Sequence, residues 1–399
     1  MSFDTSALIF GGLLILGALA SDVARRSFLS LTAVFVVAGF VLGDGVLGVL
    51  EFDPQSAFVE QLATVALIVI LFRDGLEVEA EMLQREWRLP ARKLGLAMPV
   101  TCVVVAVGAK ALTDLTWTEA FLLGALLSPT DPVLSSSVVT NPRVPRLVRH
   151  SLNLESGMND GLALPAVLAF TAALTTDSGD FVWYEFVLQD VTLGLAYGVG
   201  IGFAASWLMP RGSDAIPPHH KSLYTLGVAF ATYGLTLGGP HGNGFIAVFV
   251  CAITLGIRRP DLGRQFQVRA DDIVEILKLG IFVVFGSLLT FEGMFEDGWA
   301  AVGIVAFTLL LARPVAIWVA LAGTRLDAAT KGFMAWFGPK GVATMTFSIL
   351  VLGRGLASGE RIFNLAALAV FCSIILHGLT DTPGSEWLAR RAEAEPARA

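Results

Sequence analysis

The chain is short of charge. Of its 399 residues only 15% are Asp, Glu, Lys or Arg, against 55% hydrophobic, which is too apolar for an ordinary soluble protein. Cysteine is scarce as well. Cys102, Cys251 and Cys372 all fall inside apolar runs, without metal-ligand or disulfide spacing, and read as small buried hydrophobes. The N-terminal MSFDTSA has no basic residue before its apolar run, which argues against a cleaved signal peptide. Between the apolar runs no stretch is long enough for a soluble domain. Nothing resembles a nucleic-acid module, so the net charge of −7 says nothing about nucleic acid. No cofactor is expected.

What is present is a succession of apolar runs of spanning length. They centre on 6–20, 28–48, 58–73, 93–112, 118–139, 153–175, 185–209, 222–238, 243–257, 273–291, 299–322, 332–352 and 362–380. This predicts an all-α polytopic protein in a lipid bilayer, with about thirteen transmembrane helices. The expected organisation is a transmembrane domain over 1–380 and a short cytoplasmic tail over 381–399, with no regulatory domain after Thr380.

Basic residues set the orientation. One set of alternate loops holds Arg25 and Arg26, then Arg85, Arg88, Arg92 and Lys93, then Arg143, Arg146 and Arg149, and continues so to Arg390, Arg391 and Arg398. The opposite loops hold only Lys110, Arg354 and Arg361. The N-terminus is expected outside and the C-terminus in the cytoplasm, in the plasma (inner) membrane.

Two spans are interrupted. Pro129 and Pro132 flank Thr130-Asp131 in SPTDPV, and Gly338, Pro339 and Gly341 surround Lys340 in FGPKG. Each proline removes a backbone donor and blocks the preceding turn. Interrupted spans at matching places in two halves point to a transport site built from inverted repeats. The breaks free carbonyls that are tolerable only beside a cavity. Those carbonyls, the Thr130 hydroxyl and the Asp131 carboxylate are hard oxygens, which suit alkali cations, whereas zinc or copper would call for His and Cys.

The following span carries ESGMNDG. A charge at the bilayer centre costs about 2.5–3.5 kcal/mol on insertion scales, so an intramembrane carboxylate is a functional hypothesis. Ser156 and Asp160 stand four residues apart on one helix face, with Glu155 and Asn159 on the adjacent one. Thr130, Asp131, Ser156 and Asp160 could together strip part of the water from a sodium or potassium ion. Asp131 has a second reading, the neutralising of helix ends at the break. Glu155 is expected to pair with a buried cation, either Arg313 in LLLARPVAIW or Lys340. The guanidinium is the better partner for a buried bidentate pair, leaving Lys340 to balance dipole ends.

SPTDPV, ESGMNDG, the ARP segment, GPKG and, more weakly, ILFRDGLEVE at 70–79 resemble the prokaryotic sodium/proton exchanger branch of the cation:proton antiporter superfamily, in order along the whole membrane domain. The resemblance implies a thirteen-helix inverted-repeat fold, a homodimer, and exchange by an elevator-like movement. Asp160 matches the essential ion- and proton-binding aspartate and Asn159 its partner. Thr130, Asp131 and Ser156 match cation ligands, Glu155 and Arg313 a structural ion pair, and Asp74 an acid near the ion funnel. Lys340 departs from the arginine common there. The implied activity is secondary exchange of a monovalent cation (Na+, Li+ or K+) for protons, serving pH homeostasis. The Asn-Asp pairing implies one-for-one, electroneutral exchange.

The rivals are a potassium/proton antiporter, a cation channel and an organic-anion symporter. An intramembrane aspartyl protease would need Gly-x-Gly-Asp, which neither Asp131 nor Asp160 has. No enzyme activity is expected.

Overall fold

The structure, a computed structural model, describes residues 8, 11–12, 15, 31–78, 88–131, 138, 141–175, 182–210, 216–239 and 242–394, without the side chains of Ser156, Val268 and Ala394. Among the described residues it is helical, with no strand. In chain order the helices are α1 (Leu31–Leu42), α2 (Ala57–Leu76), α3 (Arg88–Leu112), α4 (Trp117–Leu126), α5 (Arg146–Thr175) and α6 (Trp183–Leu208). They continue with α7 (Pro218–Gly238), α8 (Gly244–Arg258), α9 (Pro260–Ser287), α10 (Trp299–Ala320), α11 (Ala328–Trp336), α12 (Val342–Gly353) and α13 (Gly359–Ala394). Each of these overlaps an apolar run, though α9 begins well before the run at 273–291. The first run, and the second half of the run at 118–139, fall largely outside the described residues.

Helix starts are set by local chemistry. Thr116 and Glu119 form a reciprocal capping box on α4: Glu119 N–H donates to the Thr116 hydroxyl at 3.3 Å, and Thr116 N–H to Glu119 Oε2 at 2.7 Å. The Asn243 side chain caps α8, and Asp327 caps α11. Two long helices contain a π turn just ahead of a proline, Lys93–Ala97 before Pro99 and Thr308–Ala312 before Pro314. Proline lacks the N–H and displaces the carbonyl one turn back, so the ladder widens there.

The chain forms two compact units. The first comprises 1–63, 89–156 and 279–399, the second 64–88 and 157–278, with divisions falling inside α2, α5 and α9. In the first, α1 lies against the end of α9 with backbone touching backbone. A Cβ on Gly39 would meet the Val283 carbonyl, and one on Gly286 the Val36 carbonyl. Its apolar core joins Val144, Val148 and Leu152 to Ile317, Phe333, Phe337 and Leu388.

The last helix runs past the expected end of its span at 380. It continues through Pro383 to Ala394, burying Asp381, Ser385, Leu388 and Ala389. Asp381 Oδ1 accepts from the Val138 N–H at 3.2 Å, and Leu388 belongs to the apolar core. Residues after Thr380 therefore start as packed helix. In the second unit, Gly194, Gly198 and Gly202 form a stripe along α6 that lets α8 approach at Ile246, Val250 and Thr254.

Candidate cation site and its ion pair

α4 ends at Leu126 and α11 at Trp336, and the chain leaves the helix over 127–131 and 337–341. The two breaks bond to each other. Asp131 N–H donates to the Pro339 carbonyl at 2.8 Å, and Lys340 Nζ to the Pro129 carbonyl at 3.3 Å. The Val342 N–H, opening α12, donates to Asp131 Oδ2 at 3.4 Å, and the Thr344 hydroxyl donates to the Leu126 carbonyl at 2.9 Å. Backbone groups that each break strands in an apolar medium thus find partners in the other. An anion, Asp131, faces the positive start of α12, and a cation, Lys340, faces the carbonyls after α4. Lys340 is 1% exposed, and Thr130, in the first break, is buried as well.

The glycines of FGPKG are needed for this approach. A Cβ on Gly341 would overlap the Asp131 side chain, and one on Gly338 the Arg313 guanidinium. Overpacking of a tight core typically costs about 1–3 kcal/mol. Gly341→Ala is therefore expected to lower the melting temperature by several degrees and to raise the cation KM, since it pushes directly on Asp131. Detergent-phase melts and vesicle kinetics check both.

Arg313 and Glu155 are a buried bidentate pair, Nη1 to Oε1 at 3.0 Å and Nη2 to Oε2 at 3.5 Å. Nη2 also donates to the carbonyls of Phe337 at 3.0 Å and Met334 at 3.4 Å, so the same guanidinium caps the end of α11. The pair has a third member. Lys93, counted above among loop charges, lies inside α3, is 1% exposed, and forms an ion pair with Glu155 Oε2. Its ammonium also donates to the Ser151 hydroxyl at 3.4 Å. One carboxylate thus stands between two buried cations. Both cations sit at the π turns, Lys93 opening one and Arg313 following the other.

The remaining residues lie in the second unit or on the helix that enters it. α5 is continuous from Arg146 to Thr175, so Glu155, Ser156, Asn159 and Asp160 share one helix; the Ser156 side chain lies outside the described residues. Asn159 and Asp160 are 2% and 7% exposed. Asp74 is buried and paired with a residue not singled out above, Arg73, Nη1 to Oδ1 at 3.1 Å. Arg73 also reaches Glu77 at 2.8 Å and Asp271 at 3.5 Å. Gly157 lets this acidic end of α2 come close, since a Cβ there would stand 3.6 Å from Glu77 Oε2. Among the described residues no group of three or more His, Cys, Asp or Glu is set to hold a metal ion.

Residues 11–387 match the family described as sodium/hydrogen exchanger, transmembrane. A K(+)/H(+) antiporter NhaP of Alkalimonas amylolytica is 25% identical over 395 residues, covering 97% of this chain and 67% of the relative. A K(+)/H(+) antiporter NhaP2 of Shewanella sp. (strain ANA-3) is 25% identical over 390 residues, covering 96% and 66%. A Na(+)/H(+) antiporter NhaG of Bacillus atrophaeus is 25% identical over 367 residues, covering 87% and 68%. The chain thus spans about two thirds of the length of these curated relatives. The solved sodium proton antiporter MjNhaP1 of Methanocaldococcus jannaschii shares the fold, with a TM-score of 0.82 at 18% identity over 98% of this chain and 99% of that one.

Proposed function

Because the chain belongs to the transmembrane sodium/hydrogen exchanger family, we propose that it is a secondary active transporter, exchanging a monovalent cation for protons by alternating access. The observation that carries this reading is the mutual bonding of two helix breaks, with Asp131 and Lys340 as the opposed charges. Half-helix ends and freed carbonyls are how such transporters build an ion site near the bilayer midplane.

Asp160 is the group at which proton and metal ion compete. Burial disfavours the charged, empty carboxylate, and either occupant neutralises it. A neutral site crosses the barrier more cheaply than a charged one, so movement with either occupant, but not with neither, couples the two fluxes. Thr130, Asp131 and Ser156 complete the cation's oxygen shell, and Asn159 supports Asp160. Glu155 with Arg313 and Lys93 holds the scaffold, as does Lys340 at the breaks, and Asp74 lies toward the ion funnel. The same reading includes about thirteen spans in inverted repeats, a homodimer, an outside N-terminus, a cytoplasmic tail and a plasma-membrane location. No cofactor takes part, and the chemistry is transport rather than catalysis.

Potassium deserves equal standing with sodium as the cation, since relatives of the same identity carry both names. Proteoliposomes holding a pH gradient and a quenched pH dye should dequench when Na+, Li+ or K+ is added. The order of their half-maximal concentrations gives the selectivity. No response to any of the three would overturn the assignment.

Stoichiometry follows from charge counting. Glu155, between two cations, stays ionised through the cycle. If Asp131 keeps its charge against the start of α12, Asp160 alone trades one proton for one ion. Exchange should then be electroneutral, with a rate unchanged when the permeant anion thiocyanate collapses the vesicle potential. Voltage-driven sodium accumulation at zero pH gradient would mean that a second carboxylate titrates, Asp131 first.

A further inference from the structure

We infer that His377 is a positioning residue for this exchange: with Ser373 it pins the second helix break at the end of α11 and at Lys340, and through the break it sets the lysine that caps the first. The inference rests on the exchanger reading for its functional part and on hydrogen bonding for its structural part.

A break leaves carbonyls at the end of one half-helix and N–H groups at the start of the next without partners in the ladder. At the second break both are met from α13. His377 Nε2 lies 2.9 Å from the Trp336 carbonyl, the last residue of α11. The Lys340 N–H, inside the break and two residues before α12 begins, donates to the Ser373 hydroxyl at 2.9 Å. Ser373 and His377 are one turn apart on the same face of α13, at 0% and 2% exposure. One helical turn therefore holds the near edge of the gap and an amide inside it.

The partners decide the protonation pattern. A carbonyl only accepts, so Nε2 carries a hydrogen. The Ser373 hydroxyl accepts from Lys340, which leaves its own hydrogen to turn toward Nδ1, 3.1 Å away. Should Nδ1 also be protonated, it donates to the Ser373 carbonyl at 2.8 Å, and the bond to Trp336 is unaffected. The ring is fixed further by Trp336, whose indole lies over it at 5.2 Å and donates from Nε1 to the Thr380 hydroxyl at 2.8 Å.

An apolar side chain at 377 would take the partner from the Trp336 carbonyl, and one at 373 would take it from the Lys340 amide, in an apolar interior where an unmade bond typically costs more than the bond contributes when made. The consequence extends beyond α13. Lys340 follows directly from the pinned amide, and its Nζ reaches the Pro129 carbonyl of the first break at 3.3 Å. Asp131 bonds to Pro339, the residue before it. Freeing the Lys340 backbone would loosen the two contacts that join the breaks.

The test combines hydrogen–deuterium exchange of peptides covering 337–342 with cation-driven proton flux for His377→Leu, His377→Gln and Ser373→Ala. His377→Leu should speed exchange at Lys340 and raise the cation KM by about tenfold each, with kcat changed by about twofold or less, the size expected for one buried polar group left unpaired. His377→Gln, which retains a terminal N–H donor, should stay within about threefold of the parent, and Ser373→Ala should shift both quantities in the same direction as His377→Leu. If His377→Leu does not insert, His377→Asn, whose shorter side chain falls short of the Trp336 carbonyl, is read in its place at the Lys340 amide. Parental protection at 337–342 in the Leu and Ala variants, with parental KM, overturns the inference. A parent that moves no protons with any cation defeats the exchanger reading instead, and exchange at Lys340 still decides whether His377 pins the break.

Discussion

Asp160→Asn is expected to reduce cation-driven proton flux to the level of empty vesicles while leaving a folded, membrane-inserted protein. The amide matches the carboxylate in size and can keep its contacts, so α5 has no reason to repack. What disappears is the titrating charge. Without it no proton binds at the site, and a metal ion meets a neutral oxygen where it needs an anion to offset its lost water. A neutral group is also easier to bury than a charged one, so the melting temperature should be equal to the parent's or higher. Asp160→Glu, which keeps the charge on a longer arm, should retain partial flux with a raised KM. Clear flux from the Asn variant would move the exchange chemistry to Asp131 or to the acidic cluster around Arg73.

The second large effect is on stability, and it is asymmetric. Breaking one half of a simple buried ion pair typically costs about 3–5 kcal/mol whichever half is removed, because the other charge is left alone. Here Glu155 has two cations, so the halves are not equivalent. Glu155→Gln leaves Arg313 and Lys93 buried side by side without an anion, and should produce the largest fall in melting temperature. Arg313→Ala also strips donors from the Phe337 and Met334 carbonyls, but Lys93 still compensates Glu155, so its fall should be smaller. Lys93→Met, an apolar side chain of similar length, should be mildest, because Arg313 remains on the carboxylate. Combining Lys93→Met with Glu155→Gln should recover part of the loss, a coupling that independent sites would not show. Equal losses for Glu155→Gln and Arg313→Ala would mean that Lys93 contributes nothing.

The all-helical fold and both interruptions were legible because their signals are local: apolar runs for the helices, and Pro129, Pro339 and the FGPKG glycines for the breaks. What the breaks do for each other was not legible, since the bond from Asp131 N–H to the Pro339 carbonyl joins residues far apart in the chain. Pairing Glu155 with Arg313 was within reach, because a lone guanidinium in an apolar run needs a carboxylate. Lys93 was missed for a physical reason. Near the edge of a span, a lysine counts equally well as a loop charge, and only the start of α3 at Arg88 places it inside. A sharper signal was Pro99, whose effect one turn back widens the helix at Lys93–Ala97.

Arg73 was passed over in ILFRDGLEVE because its third partner, Asp271, arrives from α9. His377 was passed over because a single histidine in an apolar run usually reads as core. The charges after Thr380 point to water, whereas in the structure the helix continues and Asp381 accepts from the Val138 amide.

Competition between proton and cation at Asp160 is the central claim, and proton release on cation binding tests it most directly. Purified protein in weakly buffered detergent, held near the pH at which the site is half protonated, is titrated with Na+ or K+ while free protons are followed with a dye. The expected result is a saturable release of protons, shrinking as the starting pH is raised until the site is already empty of protons, and absent in Asp160→Asn. Saturable cation binding with no proton release at any pH would contradict it.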